Sequence, residues 1–330
     1  MRRAVATVAQ TGARHGHDPN FVLECSPPAW RFEYQSCKVV AECRKHGLVL
    51  TYPTFALNAV MNTPSDSLNA APAPVMLRVY EGESIGSTAF FRNRPLLHTL
   101  SGLIATSGRS RLDVLIHACS VGVEPYSLAM FMRLAGLDRS VRVRIRATDV
   151  NRAFLDAAKE GIYPAAVMSG LSERERVFFE AVDNDCVRVI DEVRQSVDFL
   201  PAASFVDFQP EDRFDIVFVL NALTYVTPEQ QAESVSRIAS YNDWLLVASA
   251  FHPDTIDSDL ATADYLPVET NAELIHEAWV ERRRAVAPHP GSREYSWVLP
   301  PFRHDREFLA RQCAIFRKAS IARSSASSGS

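Results

Sequence analysis

Between residues 112 and 161 the chain switches three times between two hydrophobic periods, and that alternation narrows its fold more than any other feature. Leu112–Cys119 (LDVLIHAC) is a short, mostly apolar run ending in small residues, the profile of a buried strand. Residues 124–136 (EPYSLAMFMRLAG) then place Leu128, Phe131, Met132 and Ala135 at helical spacing, with Pro125 in the first turn and Gly136 at the end. VRVRIRATD (141–149) alternates valine or isoleucine with arginine, the period of a strand with one wet face. Asn151 stands where a helix cap belongs, Phe154, Ala157 and Ala158 face inward, and Gly161 stops the segment. Strand, helix, strand, helix at this spacing means parallel strands joined by right-handed crossovers. The pattern resumes with FDIVFVLN (214–221), a helix opened by the capping box of Thr227, Pro228 and Gln230, and WLLVASAF (244–251). The predicted fold is α/β, a doubly wound and mostly parallel sheet.

The flanks are less patterned. Residues 1–75 are predicted as a small, mostly helical region, with Lys38–Lys45 its clearest turn of helix, closed by a linker at Asn62–Pro74 (NTPSDSLNAAPAP). The main domain then runs over 76–320, and 321–330 is a low-complexity tail predicted to be disordered. A net charge of −4 gives no global field for nucleic acid or anionic membrane. The longest apolar runs, Phe214–Leu220 and Trp244–Ser249, are strand-length and far short of the ~18 residues of a membrane helix. Gln10, Thr11 and Arg14 interrupt any secretory apolar core at the start. Cysteines 25, 37, 43, 119, 186 and 313 show no zinc-ligand spacing, so free thiols in a reducing cytoplasm, and no metal, are expected.

In doubly wound sheets ligands bind beyond the carboxyl ends of the strands, where strand order reverses. Three features gather there. ACSVGVEP (118–125) is a small-residue turn opening a helix, Asp149 is an acid at the end of the next strand, and Leu220–Asn221 ends a third, with Tyr225 following. The turn holds one glycine, Gly122, and no lysine, so it makes a poor cradle for a phosphate chain. Taken singly, Asp149 reads equally as a cap, and Glu124 as a partner of the helix dipole contributing ~0.3–1 kcal/mol. Together they point to a nucleoside without phosphates, its ribose diol on Asp149. S-adenosylmethionine fits that description.

At these residues the chain resembles the CheR-type chemotaxis receptor methyltransferases, which carry the class I methyltransferase fold. ACSVGVEPYSLAM is similar to their GCSTGEEPYSLAM, STAFFRNRPLLHTL (87–100) to their T-x-FFR segment, and ATDVN with GIYP to the second strand and helix. VRVIDEVRQSVDF (187–199) resembles their small β-subdomain, placed at about 165–198, with its exit strand; FDIVFVLNALTYVTPEQQ resembles FDxIFCRNVxIYFD. The resemblance implies that Thr88 and Arg92 meet the amino-acid part of S-adenosylmethionine, Arg92 through its carboxylate. Glu124 would hold the ammonium, and Asp149 the ribose. Ala118 would stand at the family's first motif glycine, Asn221 with Leu220 would lie near the sulfonium, and Tyr225 would line the acceptor channel.

The chain departs from that family at four places. Ala118 and Val123 replace a glycine and a glutamate, and Ala203–Ser204 stands where an Asn-Leu pair reads the adenine, leaving Ser204 as a substitute polar contact. Residues 1–80 lack an arginine-rich helix for gripping acidic receptor helices. About fifty extra residues, 252–305, precede the last strand-like stretch, and read either as packed surface structure or as a lid. These departures shift the expected acceptor from a receptor glutamate to a small molecule, a carboxylate among the candidates, in a biosynthetic pathway. Three alternatives stay open: chemotaxis-type methylation of a protein glutamate, a cyclase that turns S-adenosylmethionine into a four-membered cyclic amino acid plus methylthioadenosine, and a binding module without turnover.

Overall fold

A computed structural model describes residues 22–24, 30–35, 38–43, 48–53, 72, 74–81, 84–252, 255–285 and 314–319. The tail at 321–330 and most of the linker lie outside these residues.

The N-terminal region corrects the helical expectation. Its described segments are strands, β1 (Val22–Glu24), β2 (Trp30–Gln35), β3 (Lys38–Cys43) and β4 (Leu48–Pro53). They continue through β5 (Leu77–Glu81) and β6 (Ser84–Thr88) as one antiparallel meander of six strands in sequence order. The stretch read as helix, KVVAEC, pairs on both sides, with Trp30–Gln35 and with Leu48–Pro53. Adjacent valines there, and the aromatic and β-branched residues of WRFEYQ and LVLTYP, favour a pleated surface over a helix. Because β4 pairs with β5, the boundary expected near residue 75 falls inside a single sheet.

The second half of the chain follows the predicted alternation. Helix α1 (Arg94–Thr106) is capped by Asn93, whose side chain accepts the Leu96 N–H. Then come β7 (Arg111–His117), α2 (Val123–Leu134), β8 (Arg142–Ala147) and α3 (Arg152–Glu160). Asn151 caps α3 through the Ala153 and Phe154 N–H groups, and Gly161 ends it at φ 64°. A small three-stranded sheet follows, formed by β9 (Ile162–Pro164), β10 (Phe179–Ala181) and β11 (Cys186–Val189), with the short helices α4 (Glu173–Arg176) and α5 (Asp191–Arg194). This is the expected β-subdomain. Arg94 clamps it to α1 with a bidentate pair to Glu175 (2.9 and 2.8 Å) and a third bond to the Gly170 carbonyl. Burial pushes the Glu175 carboxyl up, but the Arg94 hydrogen bonds overcome it and hold the group below its ordinary range.

Strands β12 (Val197–Phe199), β13 (Phe214–Leu220) and β14 (Asn242–Ser249) rejoin the main sheet, with α6 (Pro228–Tyr241) between the last two. Helix α7 (Ile256–Thr262), β15 (Tyr265–Pro267), α8 (Ala272–Ala285) and β16 (Ile315–Lys318) complete the described chain. The sheet runs β12-β8-β7-β13-β14-β16-β15, parallel except for β16. Helices pack on both faces: Val114, Ile116, Ile216 and Phe218 belong to one core, and Leu115, Val217 and Leu246 to the other. Strand order reverses between β7 and β13, so the carboxyl rim there is the expected ligand crevice.

Within the stretch read as extra, 252–305, the described residues form α7, the edge strand β15 and α8. One expectation needs correction. The arginines of β8 do not all face water. Arg146 is 6% exposed, stacks on Phe214 at 4.3 Å, and pairs with Asp212 and Asp113.

His117, the last residue of β7, is buried, with Nε2 at 3.0 Å from the Tyr241 hydroxyl. Burial alone lowers its pKa from 6.5 to about 3. The unfolded chain therefore takes up this proton before the folded one, so stability is full above pH 6.5 and falls as the pH drops toward 3. At ~1.4 kcal/mol per unit this limb amounts to about 4–5 kcal/mol. Urea titrations across that range should show it, and His117→Phe should flatten it.

Candidate active site

Three strands deliver the rim, and each ends on a residue in the left-handed region. Ala118 (φ 51°) follows β7, Asn221 (φ 57°) follows β13 and Ala250 (φ 59°) follows β14; Ser120 (φ 50°) continues the first loop. A non-glycine residue there carries ~1–2 kcal/mol of strain, and such strain collects at functional turns. Ala118→Gly, which restores the family's residue, should therefore raise stability by about 0.5–1 kcal/mol in chemical denaturation.

The first loop is held from several sides. Gly122 (φ 83°) begins α2 without a side-chain cap, so the helix turns its N-terminal end toward the rim. The Tyr163 hydroxyl of β9 donates to the Val121 carbonyl at 2.6 Å. Gly86 of β6 lies close above, where a Cβ would come within 2.6 Å of the Ser120 hydroxyl. Thus the N-terminal meander borders the rim.

Asp149 is 6% exposed and ties the first two loops together. It accepts the Ser120 N–H at 2.8 Å on one oxygen and the Asn151 N–H at 2.9 Å on the other. Burial outweighs these donors and raises its pKa above the ordinary 3.8. Glu124 stands at the first turn of α2. Burial lowers the Arg92 pKa, opposed by the charge of Glu124 and then by Tyr225, so these three groups share one neighbourhood. Arg92 also donates to the Ser87 carbonyl at 3.0 Å. Cys119 feels both acids: burial raises its pKa first, and the charges of Asp149 and Glu124 add to that.

Thr88, Arg92, Ala118, Glu124, Asp149, Leu220, Asn221 and Tyr225 thus lie on the rim elements or on the turn entering α1. Ser204 follows Asp149 across the Ala203 N–H bond to the Asp149 carbonyl, but its hydroxyl accepts the Val206 N–H inside its own turn. Tyr225 is 64% exposed. The sequence did not mark out Ser120, Val150 and Ser249. Val150, 71% exposed, presents an apolar side chain beside Asp149. Ser249 pairs with Leu220, and its carbonyl accepts the Asn221 N–H.

Four buried polar atoms here find no partner within the described protein: Thr88 Oγ1, Ser120 Oγ, Asn221 Nδ2 and Ser249 Oγ. Buried polar groups are normally satisfied, so four orphans on one rim, beside a cation and two acids, fit a polar ligand. That donor set suits a zwitterionic amino acid joined to a nucleoside. Among the described residues no cluster of His, Cys, Asp or Glu could hold a metal ion, and no helix is long and apolar enough to cross a membrane.

The sequence profile of the CheR methyltransferase, SAM binding domain, matches residues 86–243, which span the rim from β6 to the start of β14. Residues 86–243 are a CheR-type S-adenosylmethionine-binding domain. The chemotaxis protein methyltransferase of Vibrio anguillarum is 27% identical over 225 residues, covering 64% of this chain and 81% of that protein. The Listeria monocytogenes chemotaxis protein methyltransferase is 34% identical over 163 residues, 47% of this chain and 60% of that one. Among solved structures, the N-methyltransferase NodS from Bradyrhizobium japonicum with S-adenosyl-L-homocysteine overlaps at TM-score 0.33 and 16% identity, over 53% of this chain and 76% of that one. The fold assignment rests on the strand order, and the cofactor of this methyltransferase is S-adenosylmethionine.

Proposed function

We propose that this methyltransferase transfers the methyl group of S-adenosylmethionine to a carboxylate oxygen. The observation that carries the reading is that Arg92, Glu124 and Asp149 stand on the same rim elements as four unsatisfied polar atoms. Arg92 would pair with the cofactor's carboxylate and Glu124 with its ammonium. Asp149 would accept the ribose hydroxyls, while Val150 would offer the adenine an apolar face. Thr88 and Asn221 would supply hydrogen bonds along the amino-acid chain, and Leu220 would close the wall behind it. When bound, the cofactor supplies a methyl on a sulfonium with a neutral thioether as leaving group. The protein's task is then alignment and exclusion of water, and alignment of two reactants is worth up to ~7–11 kcal/mol. His117 is buried and neutral, so it is no base, whereas a carboxylate acceptor is already ionised and needs none. Exposed Tyr225 would flank the entering acceptor.

A protein glutamate is the first acceptor to test, because the curated relatives are named chemotaxis protein methyltransferases. One observation favours a small carboxylic acid instead: β1–β4 are strands where the resemblance implies a basic helix for acidic receptor helices. Either reaction suits the cytoplasm. Incubation with methyl-labelled cofactor should yield S-adenosylhomocysteine only when an acceptor is added, and the product label should be released by mild base, as from an ester. Methylthioadenosine without acceptor, above the cofactor's spontaneous breakdown, would instead indicate cyclisation, and tight binding with neither product a module without turnover. Because bound cofactor needs Asp149 ionised, affinity should fall as the pH drops through its raised pKa, above 3.8, and Asp149→Asn should remove that dependence.

A further inference from the structure

We propose that Asn93 is a positioning residue for Arg92, acting by fastening the turn that carries Arg92 to helix α8. The inference rests on the reading of Arg92 given above. The turn from β6 into α1 passes through Phe91, a fully buried aromatic at φ 49°, a conformation that such a residue does not hold unaided. Contacts on both sides of Arg92 hold it. Before Arg92, the Phe91 N–H donates to Ser127 Oγ of α2 at 3.0 Å. After it, the side chain of Asn93, 4% exposed, makes two bonds in opposite directions. Its Oδ1 accepts the Leu96 N–H at 3.0 Å, the ordinary cap of α1. Its Nδ2 donates at 2.9 Å to the Ile275 carbonyl of α8, 182 residues away.

Capping needs only the oxygen, and serine or aspartate would serve as well. The amide nitrogen, buried against a carbonyl of another element, does something a cap does not require. It links the Arg92 turn to residues 255–285, which the sequence alone leaves as extra structure. A second tie runs parallel to it, from Asn271 Nδ2 at the start of α8 to Thr99 Oγ1 in α1, at 3.0 Å. Helix α8 thus acts as a brace: Asn271 holds α1, and Asn93 holds the turn in front of it. With the turn braced, the backbone on either side of Arg92 is fixed, and its guanidinium stays on the Ser87 carbonyl side of the rim.

The test is steady-state kinetics on the full chain with S-adenosylmethionine varied, alongside thermal unfolding. Asn93→Ser keeps a capping oxygen and loses the reach to α8. It should raise the KM for S-adenosylmethionine about 5–10-fold with kcat within twofold. Asn271→Gly, at a site with φ 58° where glycine is tolerated, removes only the second tie and should raise KM about 2–3-fold. The double variant should fall short of the product of the two. A lowered Tm with unchanged KM in Asn93→Ser would make the bond from Asn93 to α8 a purely structural tie, overturning the inference. Arg92→Ala separates the two claims. If it raises KM while Asn93→Ser does not, the brace alone is wrong; if Arg92→Ala leaves KM unchanged, the role of Arg92 fails and takes the brace with it.

Discussion

Replacing Asp149 with alanine should weaken S-adenosylhomocysteine binding by about 100-fold, the largest effect on affinity expected of any single change at the rim. Two hydrogen bonds from ribose hydroxyls to a buried carboxylate are worth ~1.5 kcal/mol each or more, and ~3 kcal/mol is two decades in Kd. The loss is compounded because Asp149 already accepts the Ser120 and Asn151 N–H groups, so its removal also loosens the loops after β7 and β8. Asp149→Asn, which keeps one acceptor oxygen, should lose about 10-fold. Isothermal titration calorimetry of the three proteins checks both numbers, and equal affinities would remove Asp149 from the site.

Gly122→Ala should lower folding stability by about 3 kcal/mol, the largest single-site loss expected from so small a change. Two independent penalties add. The residue sits at φ 83°, where an alanine carries ~1–2 kcal/mol of strain. Its Cβ would also stand 2.8 Å from the Ala158 Cβ, 3.2 Å from the Ala158 Cα and 3.1 Å from the Phe199 ring, an overpacking of ~1–3 kcal/mol. The obstructing atoms include helix backbone, which cannot swing aside. Urea denaturation is the measurement, and a Gly122→Ala protein of unchanged stability would mean that α3 does not pack against this turn. Glycine here serves the approach of helix to loop, not a phosphate, in line with the absence of lysine from the turn.

The parallel core of the fold is legible because its signals are local. Leu112–Cys119 and Phe214–Asn221 are too apolar and too short for anything but buried strands, and Asn151, Gly161 and the Thr227–Gln230 box mark helix ends that the structure reproduces. What the sequence hides depends on partners far along the chain. Arg146 has the alternation of a solvent-facing residue, yet Asp212, Asp113 and Phe214 receive it in the interior. KVVAEC reads as a turn of helix until β2 and β4 flank it. The edge strand Tyr265–Pro267 is three residues long, too short for any period to register. At the site, the acids and Arg92 stand out because charge at strand ends and helix starts is conspicuous. Ser120 and Ser249 do not, since an unsatisfied hydroxyl is defined by surroundings and not by its neighbours in sequence. A signal for Val150 was present: an apolar residue between Asp149 and the cap Asn151 has no helix face to bury.

The most direct measurement is a crystal structure of the full chain with S-adenosylhomocysteine. The expected result is the ribose on Asp149, the amino-acid tail between Arg92 and Glu124, and at least two of the four unsatisfied polar atoms newly paired. A nucleoside seated elsewhere, with Asp149 still turned only to Ser120 and Asn151, would contradict the account.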